Sequence, residues 1–464
     1  MEPEITKDTL LALGLVFPVF GGIQIDLNVV LRAMPDGSTQ PASLCDHNCT
    51  DEVGGYTCPA AFTLNKGAKP KFALGSDLLF WIQMGRSGLI LARNAFLEKY
   101  FADYCRTFVI PVAVQAILAE SLRSDLCEVN LFGGNPEMHP EVIWLIRELK
   151  ARNFRVNLTT TGRRFLTNKK FVRDFVDNLL HLLALSADDF DPERLDELFT
   201  MPLNGLASVW KRINPLHGQA QKLVEGIYAA RLVQEKGIST TVLFNMVLHR
   251  GNLRYVRRIM EAISRYLPKA LVNPYPAQDS FECGSGHLLS AENIQEFTEL
   301  VDFFTNETRR GNSNLTKQIQ YWLVMGAILE NCREHPMVAS ELIAGHYIWQ
   351  CYRHEPVPGA GMYLQIGKNN PNLVNIGNDT TQPGGYPGCY WQNNTVTGPV
   401  QVQSAEQIAH HILGGMQELA AETLSPCRGC SMPRLWFNMV TTELGLNPGL
   451  RESYLRLRRQ HVGF

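Results

Sequence analysis

Eleven cysteines fall unevenly along this chain, and the densest run, LCDHNCTDEVGGYTC, carries Cys45, Cys49 and Cys58. Thiolates so close together can share one metal centre. Three readings fit that segment: a zinc ion held by the three Cys and His47, three free thiols in a loop, or an iron-sulfur cubane. A cubane ordinarily takes four Cys, so three would leave one iron open to another ligand. A second group, Cys351, Cys389 and the pair Cys427 and Cys430 in SPCRGCSMP, offers four more thiolates. The two-residue gap of that pair lets both sulfurs reach one metal, iron-sulfur or zinc. Cys105, Cys127, Cys283 and Cys332 lie outside both groups and read as small core or loop residues.

Clustered cysteines in a chain of this size favour metal ligation in a reducing compartment over a disulfide framework. The 464 residues suffice for two domains, and 45% apolar with 19% charged residues is the balance of a soluble globular protein. A net charge of -2 gives no bulk attraction to nucleic acid or anionic membrane. The apolar stretch from 9 to 31 is broken by Gly14, Pro18, Gly21, Gly22 and Asp26, so it does not read as a spanning helix. The acidic start argues against a secretory leader, and a cytoplasmic location is expected.

The elements that must position the thiols follow from periodicity. Two or three helices are expected between Ser76 and Ser124. Strands are then expected over Cys127–Phe132, 155–161, 181–187, 238–248 and 269–274, with helices over 139–154, 168–180, 219–237 and 254–267. Strands separated by helices of this length pair in parallel through right-handed crossovers, and sites in such folds lie at the carboxyl ends of the strands. The expected class is α/β. Beyond Ala277 helices are no longer followed by strands, and from His346 onward Gly, Pro, Asn and Tyr dominate, with a hairpin expected over 362–376. Boundaries near 278 and 345 therefore divide the chain into 1–278, a helical connector 279–345, and 346–464.

The order of motifs is specific. A Cys loop, a strand closed by GGNPEMHPEV, then VNLTTTG, LLALSADD and VLFNMVLHRGNL resembles the radical S-adenosylmethionine superfamily. The resemblance covers about residues 20 to 280 and implies a partial (β/α)6 barrel. It further implies that Cys45, Cys49 and Cys58 hold a 4Fe-4S cluster whose open iron takes the amine and carboxylate of S-adenosyl-L-methionine. Gly133, Gly134 and Asn135 would meet the methionyl amine through their backbone, Ser186 the carboxylate or ribose, and Asn245 the ribose. The last two are equally readable as polar groups bonded to nearby backbone.

Departures from the family pattern are visible. Eight residues rather than two separate the second and third Cys, and Thr57 rather than an aromatic precedes Cys58, leaving Tyr56 as the ring for the adenine. Asn135 stands where Glu is usual, and Thr161 where Asn is usual. None of these removes a sulfur ligand.

The second Cys group resembles the auxiliary-cluster domains termed SPASM or twitch, an irregular α+β iron-sulfur domain here needing Cys351, Cys389, Cys427 and Cys430 for one cluster, with zinc as competitor. What the resemblance implies is reductive cleavage of S-adenosylmethionine to a 5′-deoxyadenosyl radical that abstracts hydrogen from a peptide or small-molecule substrate. An external electron donor such as flavodoxin or ferredoxin would be a partner. The reading from a different class is a non-catalytic, zinc-stabilised α/β binding protein. The adjacent His410 and His411 do not share a helix face, and the basic C-terminal helix reads as a solvated face.

Overall fold

The computed structural model describes most of residues 22–330, together with 363–366, 404–410 and 448–462. Seven strands form one sheet in the order β10-β1-β5-β6-β7-β8-β9, and every neighbouring pair is parallel. They are β1 (Gly22–Asp26), β5 (Cys127–Phe132), β6 (Phe154–Thr160), β7 (Leu182–Ser186), β8 (Thr241–Leu248), β9 (Leu271–Pro276) and β10 (Tyr363–Ile366). The class is therefore α/β with a parallel sheet, as the strand and helix alternation predicts. β5 through β9 sit where the apolar runs place them, and strands laid down in sequence order are neighbours, the arrangement that successive crossovers of one hand produce.

The helix after β5 contributes one apolar stripe. Val142–Ala151 buries Val142, Leu145, Ile146 and Leu149, the face its spacing predicts. Gly218–Glu235 fills the long return from β7 to β8 after two shorter helices, Leu195–Thr200 and Leu203–Arg212, which periodicity did not single out. Gly75–Lys99 and Val112–Arg123 are the helices expected after the Cys loop. Cys105 and Cys127 lie buried in the core, in keeping with their reading as small hydrophobes.

Three features differ from expectation. β1 falls in the Gly-interrupted stretch read only as non-spanning, where it pairs with β5. A separate antiparallel sheet is formed by β2 (Val29–Ala33), β3 (Thr39–Ser43) and β4 (Lys69–Pro70), in the order β3-β2-β4. It frames both ends of the Cys loop. The first arm of the expected hairpin is present as β10, but its partner is β1, in parallel register; the rest of 362–376 lies outside the described residues.

Other late segments also return to the first half of the chain. Ala405–His410 packs on Gly75–Lys99, where a Cβ on Gly88 would collide with Ile408 Cγ2 at 2.3 Å. In the C-terminal helix Pro448–Val462, Tyr454 is buried and Leu457 reaches Gly326, so one face is packed rather than solvated. No helix among the described residues is long and apolar enough to cross a membrane.

Candidate metal and cofactor site

β3 ends at Ser43, and the chain then runs across the carboxyl ends of β5 and β6 as Leu44, Cys45, Asp46 and His47. Backbone bonds fix its path: Leu44 N donates to Asn28 O at 2.9 Å, and Asn135 N donates to Leu44 O at 3.3 Å. Gly133 and Gly134 have φ of +97° and +56°. A Cβ built on Gly134 would lie 2.0 Å from Leu44 O. Gly134 thus serves the approach of the cysteine loop itself, in a left-handed conformation that costs glycine nothing. Asn28 reaches across to the same turn, its amide donating to the carbonyls of Gly133 at 3.3 Å and Asn135.

Asn135 is the hub. Its side-chain amide donates to Asp46 Oδ1 at 2.9 Å and its side-chain oxygen accepts from Thr160 Oγ1 at 2.7 Å, so one buried residue joins the Cys loop to β5 and β6. Arg163 adds a second tie, donating from Nη1 to Asp46 O and pairing with Asp46 Oδ2, each at 3.0 Å. Burial pushes the Asp46 carboxyl upward, but the hydrogen bond and charge of His47, the Asn135 amide and the Arg163 charge outweigh it and hold the pKa at about 2.

His47 lies fully buried. Its Nε2 donates to Glu225 Oε2 at 2.7 Å, and neither side chain is solvent-accessible. Nδ1 faces Asp46 Oδ1 at 3.1 Å and Cys45 Sγ at 3.6 Å. Burial alone would lower the imidazole pKa; hydrogen bonds to Asp46, Cys45 and Glu225, with the Glu225 charge, raise it well above its ordinary value. Glu225 Oε1 accepts from Trp210 Nε1 at 2.7 Å, and Arg163 lies 5.5 Å from the Trp210 ring centroid. The helix carrying Glu225 is drawn close by Gly162, at φ +92°, whose Cβ would meet Glu225 O at 2.9 Å. That contact explains the glycine of VNLTTTG.

Donor atoms of Cys45, Asp46 and His47 lie within 4.8 Å of one another, the one such cluster among the described residues. A zinc ion using His47 would have to compete with the tight Glu225 bond for Nε2, or take Nδ1 from Asp46. Cys49, Tyr56 and Cys58, and all of Cys351, Cys389, Cys427 and Cys430, lie outside the described residues. Ser186 ends β7 and is register-paired with Asn245 of β8, both part-buried. Asn245 Oδ1 accepts from Asn273 Nδ2 of β9 at 2.9 Å. The positions expected along the sheet are therefore distributed over the end of β5, the end of β7 and the middle of β8.

Glu137, two residues past Asn135, went unnoticed in the sequence. Oε1 accepts from Arg164 N at 3.0 Å and Asn135 Nδ2 at 3.3 Å, whereas buried Oε2 finds no partner among the described residues. Burial pushes its carboxyl up to about 7 against the pull of the Arg164 backbone N–H, with the charges of Glu225 and Asp46 adding to the rise. Glu225, Asp46, Arg163 and Trp210 were likewise missed. Only Glu225 gave a signal, as a carboxylate set inside the apolar run LVEGI.

No family model matches the chain, and no curated protein matches it. Among solved structures, anSMEcpe with bound AdoMet and Cp18Cys peptide is 12% identical with a TM-score of 0.42, the match covering 95% of this chain and 99% of that one. Streptococcus suis SuiB is 12% identical with a TM-score of 0.40, covering 75% of this chain; the chain spans 59% of its length. TYW1 with a lysine-pyruvate adduct bound is 14% identical with a TM-score of 0.31, covering 57% and 72%. At this level of likeness nothing about function follows from them.

Proposed function

We propose that the protein is a radical S-adenosylmethionine enzyme built on a partial (β/α)6 barrel, acting on a peptide or small-molecule substrate. The observation that carries the reading is the seating of Cys45 directly against the Gly133-Gly134-Asn135 turn at the strand ends, where Leu44 O occupies the space a Gly134 side chain would need. A thiolate loop remote from that turn would have ended the argument, because the cluster and the methionyl group of the cofactor must meet.

The residues fit such a group. Cys45 offers a soft thiolate at a buried rim, and the carbonyl of Gly133, accepting from Asn28, keeps a second lone pair for an ammonium donor, whereas the Asn135 carbonyl is filled by Asn28 and the Met138 N–H. Cys49 and Cys58 would complete the sulfur set and Tyr56 would lie by the adenine. Ser186 and Asn245 would take the carboxylate or ribose. A reduced cluster with bound S-adenosylmethionine supplies a 5′-deoxyadenosyl radical able to abstract hydrogen from carbon. The protein's part is orientation and exclusion of water. Asn135 and Arg163 tie Asp46, at the start of the loop, to the strand ends, and His47 is tied to Glu225 in a pair closed to solvent. Cys351, Cys389, Cys427 and Cys430 would hold an auxiliary cluster assisting oxidative or bond-forming steps, and a flavodoxin or ferredoxin would deliver electrons.

Anaerobic incubation of the iron-loaded protein with S-adenosylmethionine and dithionite should yield 5′-deoxyadenosine, and replacing Cys45, Cys49 and Cys58 together by Ala should abolish it. A loaded protein that forms none refutes the reading. The donor set of Cys45, Asp46 and His47 within 4.8 Å favours one competitor, a zinc-stabilised α/β binding protein. Zinc without acid-labile sulfide in anaerobically purified protein would select it.

A further inference from the structure

Four side chains are linked in succession from the first cysteine: Cys45 Sγ, His47 at 3.6 Å, Glu225 at 2.7 Å from the far side of the ring, and part-buried Trp210 at 2.7 Å from the other carboxylate oxygen. The expected cofactor contacts use none of the last three. Such a chain is more than the anchoring of a loop requires. Asn135 and Arg163 already tie Asp46, and Leu44 is tied through its backbone on both sides. Burying a full ion pair besides is costly unless geometry is good, and it is often no more stabilising than an apolar pair of the same volume.

What the chain does achieve is to fix one N–H. Glu225, held by Trp210 and by the close approach of its helix to Gly162, accepts from Nε2 and so sets the plane of the ring. Nδ1 then points at Asp46 Oδ1, 3.1 Å away, and at Cys45 Sγ. Carboxylate oxygens face both ring nitrogens, and Nδ1 lies within hydrogen-bonding reach of both the Asp46 carboxylate and the Cys45 sulfur. The charge of Asp46 is itself met by Arg163.

We propose that His47, clamped by Glu225, is a positioning residue that donates an N–H···S hydrogen bond to Cys45 as cluster ligand and thereby raises the reduction potential of the N-terminal cluster. The proposal rests on the reading that Cys45 ligates an iron-sulfur cluster. The physical reason is general: a donor to a ligand sulfur stabilises the additional electron of the reduced state, and in a site closed to water the effect is little screened.

The test is an EPR-monitored redox titration of the full-length, anaerobically reconstituted protein. The N-terminal signal is identified by its change when S-adenosylmethionine is added. In His47→Leu/Glu225→Gln, which removes the donor without stranding a buried carboxylate and keeps an oxygen for Trp210, the ratio of reduced to oxidised cluster at a fixed potential should fall about tenfold, ~59 mV for one electron. Glu225→Gln alone should shift it the same way by less.

A loaded double variant with an unchanged midpoint potential overturns the proposal, leaving only a packing role. Pulsed EPR of the wild-type protein labelled with 15N-histidine needs no variant to fold: a histidine nitrogen coupled to the reduced cluster supports the N–H···S bond, and no coupling overturns it. A chain that takes up no iron and sulfide through Cys45 refutes the parent reading instead, and with it this one.

Discussion

The two ends of the rim are furnished differently. Over β5 and β6 most polar groups are ionisable, buried or part-buried, and they are bonded to one another: part-buried Asp46 to Arg163 and Asn135, buried His47 to Glu225, buried Glu137 to the Arg164 backbone. Over β7 and β8 the candidates are neutral and part-buried, Ser186 and Asn245, and Asn245 accepts an amide bond from Asn273. Burial of charge is tolerated only when each partner is in place, so the first end is rigid and sensitive to loss of any one member. The second end has little to lose on substitution. One end ties down the start of the cysteine loop, and the other carries the residues proposed to meet the cofactor.

The largest expected break in that contrast is Glu225→Leu, which leaves His47 Nε2 buried without its carboxylate, with only the Asp46 carboxylate on Nδ1. Chemical denaturation should show a loss of ~3–5 kcal/mol, largely recovered when His47→Leu is added, since replacing both charges removes the unpaired one. A small loss for the single variant would mean that the first end is softer than described.

Gly134→Ala comes next. At φ +56° with Leu44 O 2.0 Å from the new Cβ, the loop must move, and ~1–3 kcal/mol should be lost together with metal uptake by the N-terminal cysteines. Measuring both denaturation and iron content separates a displaced loop from a merely strained turn.

Glu137 sharpens the comparison through pH. Its folded pKa, about 7, lies above the ordinary 4.5, so between these values the native state binds more protons than the unfolded chain. Stability contributed by the protonated carboxyl is therefore fully present below pH 4.5 and is lost as pH rises through 7. The loss is of the order of 3 kcal/mol for a shift of this size. Thermal melts from pH 4.5 to 8 should show this decline in the wild type, and Glu137→Gln should flatten it.

At the other end of the rim Ser186→Ala should change stability by less than about 1 kcal/mol, because a part-buried hydroxyl contributes little. If it binds S-adenosylmethionine, as proposed, its KM should rise while the fold is untouched. A stability loss as large as that of Glu225→Leu would make the two ends alike and remove the basis of the contrast.

Legibility followed periodicity. β5, and the helix Val142–Ala151 after it, stood where alternation and a 3.6-residue stripe placed them, because each buries one regular face in a common core. β1 was hidden by glycines; β10 was legible as a hairpin arm, but its parallel pairing with β1 was not, because a short edge strand takes its partner from far away in sequence. The two glycine turns were visible as turns, but that Gly134 makes room for Leu44 and Gly162 for Glu225 depends on which backbone arrives opposite them.

By itself, the sequence settled the α/β class, the alternation of β5 to β9 with helices, and the thiolates grouped near the start, all consequences of local pattern and residue chemistry. Tertiary structure alone decided that Cys45 sits on the Gly133-Gly134 turn and that His47, two residues along, reaches a carboxylate 178 positions away. Local propensity carries no information about such a partner. A buried charge acquires its meaning only when packing has chosen what lies 3 Å from it.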